Sequence, residues 1–306
     1  MKKIKGMKSA DNKIAALILG PMIFWWLIVC CFPIGFGITL GFLKWNTLNA
    51  APTFNGIKNF IFFFKSEQYV KALWRAVWLG GACTLSTMAL SFLVANLMNM
   101  KLKGKGVFRT VWYIPAVTST AAIAQIISLL LMPENGVINR FILSLGAKPL
   151  NVELNAAHGV VVIIIYSIWK GVGSGSLLWL AGLQSVDKAL YEAADVDGAG
   201  YTAKFIHITI PSLSSIALYA FITGAMGAIQ IYEQIAFLTG GGPMNQTETS
   251  VFLIMRDAFF DYNFGMAGAS AVLMALLVAL ISFPFIRKIF NVDSFGGGKA
   301  KRRERA

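Results

Sequence analysis

Residues 14–43, 74–98, 110–132, 157–183, 211–238 and 265–289 form six long apolar stretches separated by short polar ones. A helix of about 20 residues crosses the hydrocarbon core of a bilayer. Inside that core every backbone N–H and C=O must be satisfied within the segment, which helices do. The pattern predicts an all-α, polytopic membrane protein with six transmembrane helices. The chain is 57% hydrophobic and 13% charged, and no stretch reads as a soluble domain. Met1-Lys-Lys-Ile-Lys5 could open a signal peptide. No small-residue cleavage site follows a short apolar core, so residues 14–43 read as a retained first span.

The net charge of +13 invites a nucleic-acid reading, but its distribution argues against one. With the N-terminus in the cytoplasm, segments 1–13, 101–109, 184–206 and 287–306 carry 18 Lys and Arg residues. The outer segments 44–75, 133–156 and 239–264 carry 8, and Lys170 falls within a span. By the positive-inside rule this bias predicts both termini in the cytoplasm. Lys299-Ala-Lys-Arg-Arg303 reads as an anchor facing anionic lipid. Cys30, Cys31 and Cys83 all lie in spans, lack paired-ligand spacing and read as packing residues.

Residues 1–13 read as a basic cytoplasmic N-terminus, 14–290 as the six-span domain and 291–306 as a basic tail without fixed structure. In the outer segment 44–73, Trp45, Tyr69 and Trp74 suit a headgroup interface. Its Phe60-Ile-Phe-Phe-Phe-Lys65 run is too short to span. Met132-Pro-Glu-Asn-Gly136 and Gly240-Gly-Gly-Pro243 carry turn chemistry. No internal repeat supports an inverted-repeat secondary transporter.

One polar segment, 185–211, stands apart. Ser185 and Asp187 offer N-cap oxygens, Gly198 suits a helix stop, and about eleven helical residues fit between. Ala189, Leu190, Ala193 and Ala194 form a small-residue stripe that permits close approach to another surface. Asp195 and Asp197 oppose the helix dipole at roughly 0.3–1 kcal/mol each. Glu192, Asp195 and Asp197 place three of the fourteen acids within six residues, on a side rich in cations. Cations from another chain would account for both facts. The alternative is a helix packed on its own bundle or on the membrane.

Glu192-Ala-Ala194 followed by Gly198, Ile208, Ile210 and Pro211 resembles the EAA loop of membrane subunits of binding-protein-dependent ABC importers. Further segments carry the resemblance: Gly56-Ile-Lys-Asn-Phe60, Lys103-Gly-Lys-Gly-Val-Phe-Arg-Thr110, Tyr113-Ile-Pro115, Trp169-Lys-Gly-Val-Gly173, Leu180-Ala-Gly-Leu-Gln184, and Leu238-Thr-Gly-Gly-Gly-Pro243 with Thr247-Glu-Thr249. The set is similar to the carbohydrate branch, of the maltose and glycerol-phosphate permease type, without the long outer insertion of the enteric maltose subunit. The resemblance implies a cytoplasmic coupling helix in which Glu192, Ala193, Ala194, Asp195, Asp197 and Gly198 meet an ATPase. Glu192 would pair with a cation in its cleft. It also implies a second related permease subunit, two copies of an ABC ATPase and an extracellular substrate-binding protein. The setting would be the inner membrane, and the cargo a sugar or oligosaccharide.

This chain has no Gly-x-x-x-x-Gly-Lys-Ser/Thr loop, since Gly296-Gly-Gly-Lys299 is followed by Ala300. ATP and magnesium would therefore be held by partner subunits, and this chain would bind no cofactor. His158 and His207 lack metal-ligand spacing, and no nucleophile constellation supports a membrane enzyme. Ionisable groups in a span mark functional positions by default. Lys170 and Glu233 are such groups, expected to face the bundle interior. Ser167, Lys170, Gly171, Ser174, Gln230, Tyr232, Glu233 and Gln234 are the candidates for the substrate path. The resemblance adds Gly224, Gly227, Ala228 and Ile231. The small face Gly171, Gly173, Ser174, Gly175 serves helix packing or a cavity; the sequence leaves that open.

Overall fold

The computed structural model describes residues 2–47, 51–100 and 104–303, with side chains described for 14–47, 51–100, 104 and 106–284. The basic side chains expected to anchor 1–13 and the tail lie outside the latter set. In chain order the helices begin with α1 (Lys2–Trp26), a π-helical turn (Leu27–Cys31) and α2 (Phe32–Gly41). Strands β1 (Leu43–Lys44) and β2 (Thr53–Phe54) pair antiparallel, and α3 (Lys58–Lys65) follows. Next come α4 (Glu67–Asn99), α5 (Lys105–Val117), α6 (Thr120–Leu130), α7 (Val137–Ser144) and α8 (Ala156–Ser185). The chain continues with α9 (Lys188–Val196), α10 (Tyr201–Lys204), a second π-helical turn (Phe205–Thr209), α11 (Ile210–Ser212) and α12 (Ser214–Ile229). It ends with α13 (Glu233–Leu238), α14 (Ser250–Phe259) and α15 (Phe264–Arg303).

Four helical stretches among the described residues are long and apolar enough to cross a membrane: Ile14–Gly41, Glu67–Asn99, Ala156–Ser185 and Phe264–Pro284. The count rises to six if each of two bent pairs forms one span. The third apolar run, expected as a single span over 110–132, is instead bent by 94° between Gly106–Val117 and Thr120–Leu130. Thr118 and Ser119 are extended, with ψ of 152° and 126°, and the Ser119 hydroxyl caps α6 by accepting from the Ala122 N–H at 3.4 Å. Pro115, lacking an N–H, weakens the last turn of α5. The fifth run is bent by 59° at Leu213 and broken again at residues 230–232. Pro211 removes a donor just after the second π-helical turn, where the ladder is already irregular. The tail expected to lack structure continues α15 in backbone as far as Arg303. Extending a formed helix costs far less than nucleating one, which offsets the glycines there.

The chain divides into two compact units: Met1–Ser66 with Ile254–Leu273, and Glu67–Leu253 with Met274–Ala306. In the first, the side chains of Ile14–Phe36 are almost all exposed, as a helix in hydrocarbon needs. Asn59 donates from Nδ2 to the carbonyls of Gly41 at 2.9 Å and Leu43 at 2.8 Å, tying off orphan carbonyls after α2. The short Phe-rich run forms α3, with Phe63 buried and Phe62 and Phe64 exposed. In the second unit, Leu79, Cys83, Ile163, Tyr166, Ile235 and Leu238 belong to one buried cluster, and Val94, Met98, Val172, Trp179 and Leu183 to another. Cys83 is thus a core residue as expected, whereas Cys30 is exposed on the first span.

Candidate functional site

The second unit carries an open cavity of about 550 Å³ between α4, α8 and α12. From α8 it is lined by Ser167, Lys170, Gly171 and Ser174, which share one face at helical spacing. Gly224, Gly227, Ala228 and Ile231 line the opposite side, and Gln234 lies beyond the break after Ile229. Gln230, Tyr232 and Glu233 do not line it. Gln230 is exposed, Tyr232 lies against the Phe252 ring at 6.3 Å, and Glu233 sits exposed in the first turn of α13. The break at 230–232 turns these side chains away from the face that a continuous helix would have given them.

Small residues on α8 do both kinds of work. A Cβ at Gly173 would collide with the Trp112 carbonyl, and one at Gly171 would lie 2.8 Å from Thr87 Cγ2. Those glycines permit close helix approach. Across the cavity nothing lies within 4 Å of a Cβ built on Gly227, so that position is open space.

Lys170 is half-buried within the unit, and the hydrogen-bond partners of its ammonium are backbone carbonyls. Its ammonium donates to the Thr118 carbonyl at 2.6 Å and the Pro115 carbonyl at 3.4 Å. Both carbonyls lie at the C-terminal end of α5, the negative pole of that helix, where a cation is favoured; the Pro115 carbonyl also accepts from the Thr118 N–H and hydroxyl. One turn earlier on α8, Tyr166 donates from Oη to the Thr120 carbonyl at 3.0 Å. Two side chains of α8 thus hold both flanks of the 94° break.

The polar segment 185–211 carries the second part of the site. Asp187 caps α9 by accepting from the Ala189 N–H at 3.0 Å. At the other end Gly198 adopts φ +73°, its N–H donates to the Asp195 carbonyl at 3.1 Å, and the Ala199 N–H donates to the Ala194 carbonyl at 2.8 Å. That double bond pattern with a left-handed glycine is a Schellman stop. Not one residue of α9 is buried, and Val196 is 89% exposed. Within α9 only Tyr191 and Ala194 are half-buried, so the helix makes little contact with its own bundle among the described residues. Glu192 and Asp197 have no side-chain partner among the described residues. Asp195 differs from expectation: its cation is Lys204 of the same chain. Ala193 is exposed beside Glu192, and Ala194 half-buried.

Thr84, Thr87 and Ser91 of α4 also line the cavity, and sequence reasoning missed them. Their signal was a polar stripe at helical spacing in an otherwise apolar span.

Apolar helices, two of them broken pairs, around a cavity of mixed apolar and hydroxyl-bearing walls, together with the exposed helix α9, are the architecture of a membrane transport subunit. Residues 87–292 match the family described as "Binding-protein-dependent transport system inner membrane component", and the chain belongs to that family. It is the non-catalytic membrane component of an ABC importer. It is 28% identical to the probable ABC transporter permease protein YurN of Bacillus subtilis (strain 168), over 90% of this chain and 96% of that one. It is 30% identical to the multiple sugar-binding transport system permease protein MsmF of Streptococcus mutans, over 82% and 86%. Its fold is similar to that of a chain in the crystal structure of a bacterial ABC transporter that imports the acidic polysaccharide alginate. The TM-score is 0.79 and the identity 24%, over 94% of this chain and 98% of that chain.

Proposed function

We propose that this chain forms half of the translocation path of an ATP-driven importer for a sugar or oligosaccharide. It pairs with a second, related permease subunit. Two copies of an ABC ATPase bind on the cytoplasmic side and hold the ATP and magnesium, and an extracellular binding protein delivers the cargo. The chain crosses the membrane six times, each bent pair counting once, with both termini in the cytoplasm. The charge bias of 18 to 8 supports that orientation. The sugar-transport name of the Streptococcus relative supports the cargo class.

The observation that carries this reading is the exposed helix α9. It is capped at both ends, offers Leu190 and Val196 at 50% and 89% exposure, and bears Glu192 without a side-chain partner among the described residues. A helix so finished and so uncovered is a docking element for another protein. ATP-driven closure of the motor would move α9 and, through the chain that follows it, α12 on the cavity wall. Glu192 is the acid that pairs with an Arg or Lys of the motor.

The test is affinity purification of the tagged chain from membranes expressing its neighbouring transport genes. An ATPase should accompany it at two copies per permease pair, and Glu192→Lys should release it. Purification of the chain without any ATPase, in a form that still transports, would exclude this function.

A further inference from the structure

The hydrogen-bonding groups of the cavity divide by direction. Thr84, Ser167, Ser174 and Thr223 each spend their hydroxyl proton on a carbonyl of their own helix, at 2.8, 2.7, 3.2 and 2.8 Å. A hydroxyl in that state keeps its lone pairs and offers a ligand an acceptor, which suits the hydroxyl protons of a saccharide. Donors are fewer. Thr87 and the Gln234 amide carry no hydrogen bond among the described residues. The Lys170 ammonium has three donors, two of them directed at Thr118 and Pro115.

Charge is still more one-sided. Lys170 is the sole Lys, Arg, Asp or Glu among the residues lining the cavity. The C-terminal end of α5 supplies about half an elementary charge of opposite sign, so a net positive charge remains at the wall. An incompletely compensated cation at mid-membrane depth is costly. An anionic group brought in by a ligand would complete its shell with a charge-assisted hydrogen bond.

Resting on the translocation reading above, we infer that the cavity takes a saccharide or polyol carrying an anionic group, a carboxylate or a phosphate, and that Lys170 determines this preference. The ammonium keeps its two carbonyls, and so the break between α5 and α6, while its third donor meets the anion. The four hydroxyl acceptors across α4, α8 and α12 take the neutral hydroxyls. Cationic ligands are repelled by the same charge.

The experiment uses the full complex, with its partner permease, ATPase and binding protein, in proteoliposomes. Three labelled probes are compared: an oligogalacturonate, glycerol 3-phosphate and maltotriose. ATP-dependent uptake of one of the two acidic probes should exceed that of maltotriose at least tenfold, and which one is taken separates carboxylate from phosphate. Lys170→Gln retains two N–H donors for the carbonyls but removes the charge, and should lower the acidic-to-neutral ratio at least tenfold. Lys170→Arg should restore it. A purely structural Lys170 would lower both uptakes together and leave the ratio unchanged, which overturns the inference, as does a wild-type preference for maltotriose or uptake of no probe. Uptake without ATP would instead overturn the translocation reading itself.

Discussion

Tyr191 Oη lies 2.8 Å from Thr209 Oγ1, joining the exposed helix α9 to the π-helical turn that opens the fifth apolar run. Thr209 is buried, and Asp195 and Lys204 make a second tie across the same connection. Any motion of α9 in the proposed cycle would therefore reach the helix behind it through side chains as well as backbone. Tyr191→Phe removes about 0.5–1.5 kcal/mol of hydrogen bonding and leaves the apolar ring in place. The ATPase should remain bound, while substrate-stimulated ATP hydrolysis falls several-fold. Thr209→Val should give the same loss, and the double variant no more than either alone. Additive losses would show that the two hydroxyls act separately.

Glu192 has no partner within the described chain, so docking should provide one. Removing one side of a buried pair costs about 3–5 kcal/mol, and reversing its sign adds repulsion. Glu192→Lys should dissociate the ATPase, and a charge-reversed Arg or Lys in the ATPase cleft should restore binding. Co-purification yield measures both. Retention of the ATPase by the single variant at wild-type yield would contradict the pairing.

Gly198 holds φ +73°, and a Cβ there would meet nothing within 4 Å, so substitution is a backbone question alone. The left-handed region costs an L-residue about 1–2 kcal/mol. Gly198→Val should insert normally yet lose coupling, and Gly198→Asn should lose less, because asparagine tolerates that region. Membrane yield and stimulated ATPase activity separate the two effects.

Gly173 and Gly227 should behave in opposite ways. A Cβ at Gly173 meets the Trp112 backbone, whereas at Gly227 it meets nothing within 4 Å. Gly173→Ala should cost about 1–3 kcal/mol through overpacking and lower the thermal unfolding midpoint. Gly227→Ala, in a helix interior, should leave the midpoint unchanged or raise it slightly, by about 1 kcal/mol of helix propensity.

The apolar runs were legible because hydrocarbon admits few backbones, and the caps of α9 because Asp187 and Gly198 act on neighbours in sequence. The break at Thr118 was not legible. Thr118 and Ser119 are unremarkable in an apolar run, and the cation that holds the break open, Lys170, is 52 residues away. The sequence puts Glu233 on a continuous span because Gln230, Ile231 and Tyr232 include no helix-breaking type. The three-residue interruption there comes with tertiary contacts such as the Thr249 hydroxyl donating to the Ile231 carbonyl at 3.0 Å. The cavity was half visible. The spacing of Ser167, Gly171 and Ser174 marks one wall, but which face of α4 completes it depends on packing that no local pattern records.

The most direct test of the central claim is uptake by proteoliposomes holding this chain, its partner permease and the ATPase, with binding protein and ligand outside and nucleotide sealed inside. Accumulation above the external concentration should require ATP and binding protein together, and should vanish with Glu192→Lys. Accumulation without nucleotide, or undiminished by that substitution, would contradict an ATP-driven path coupled through α9.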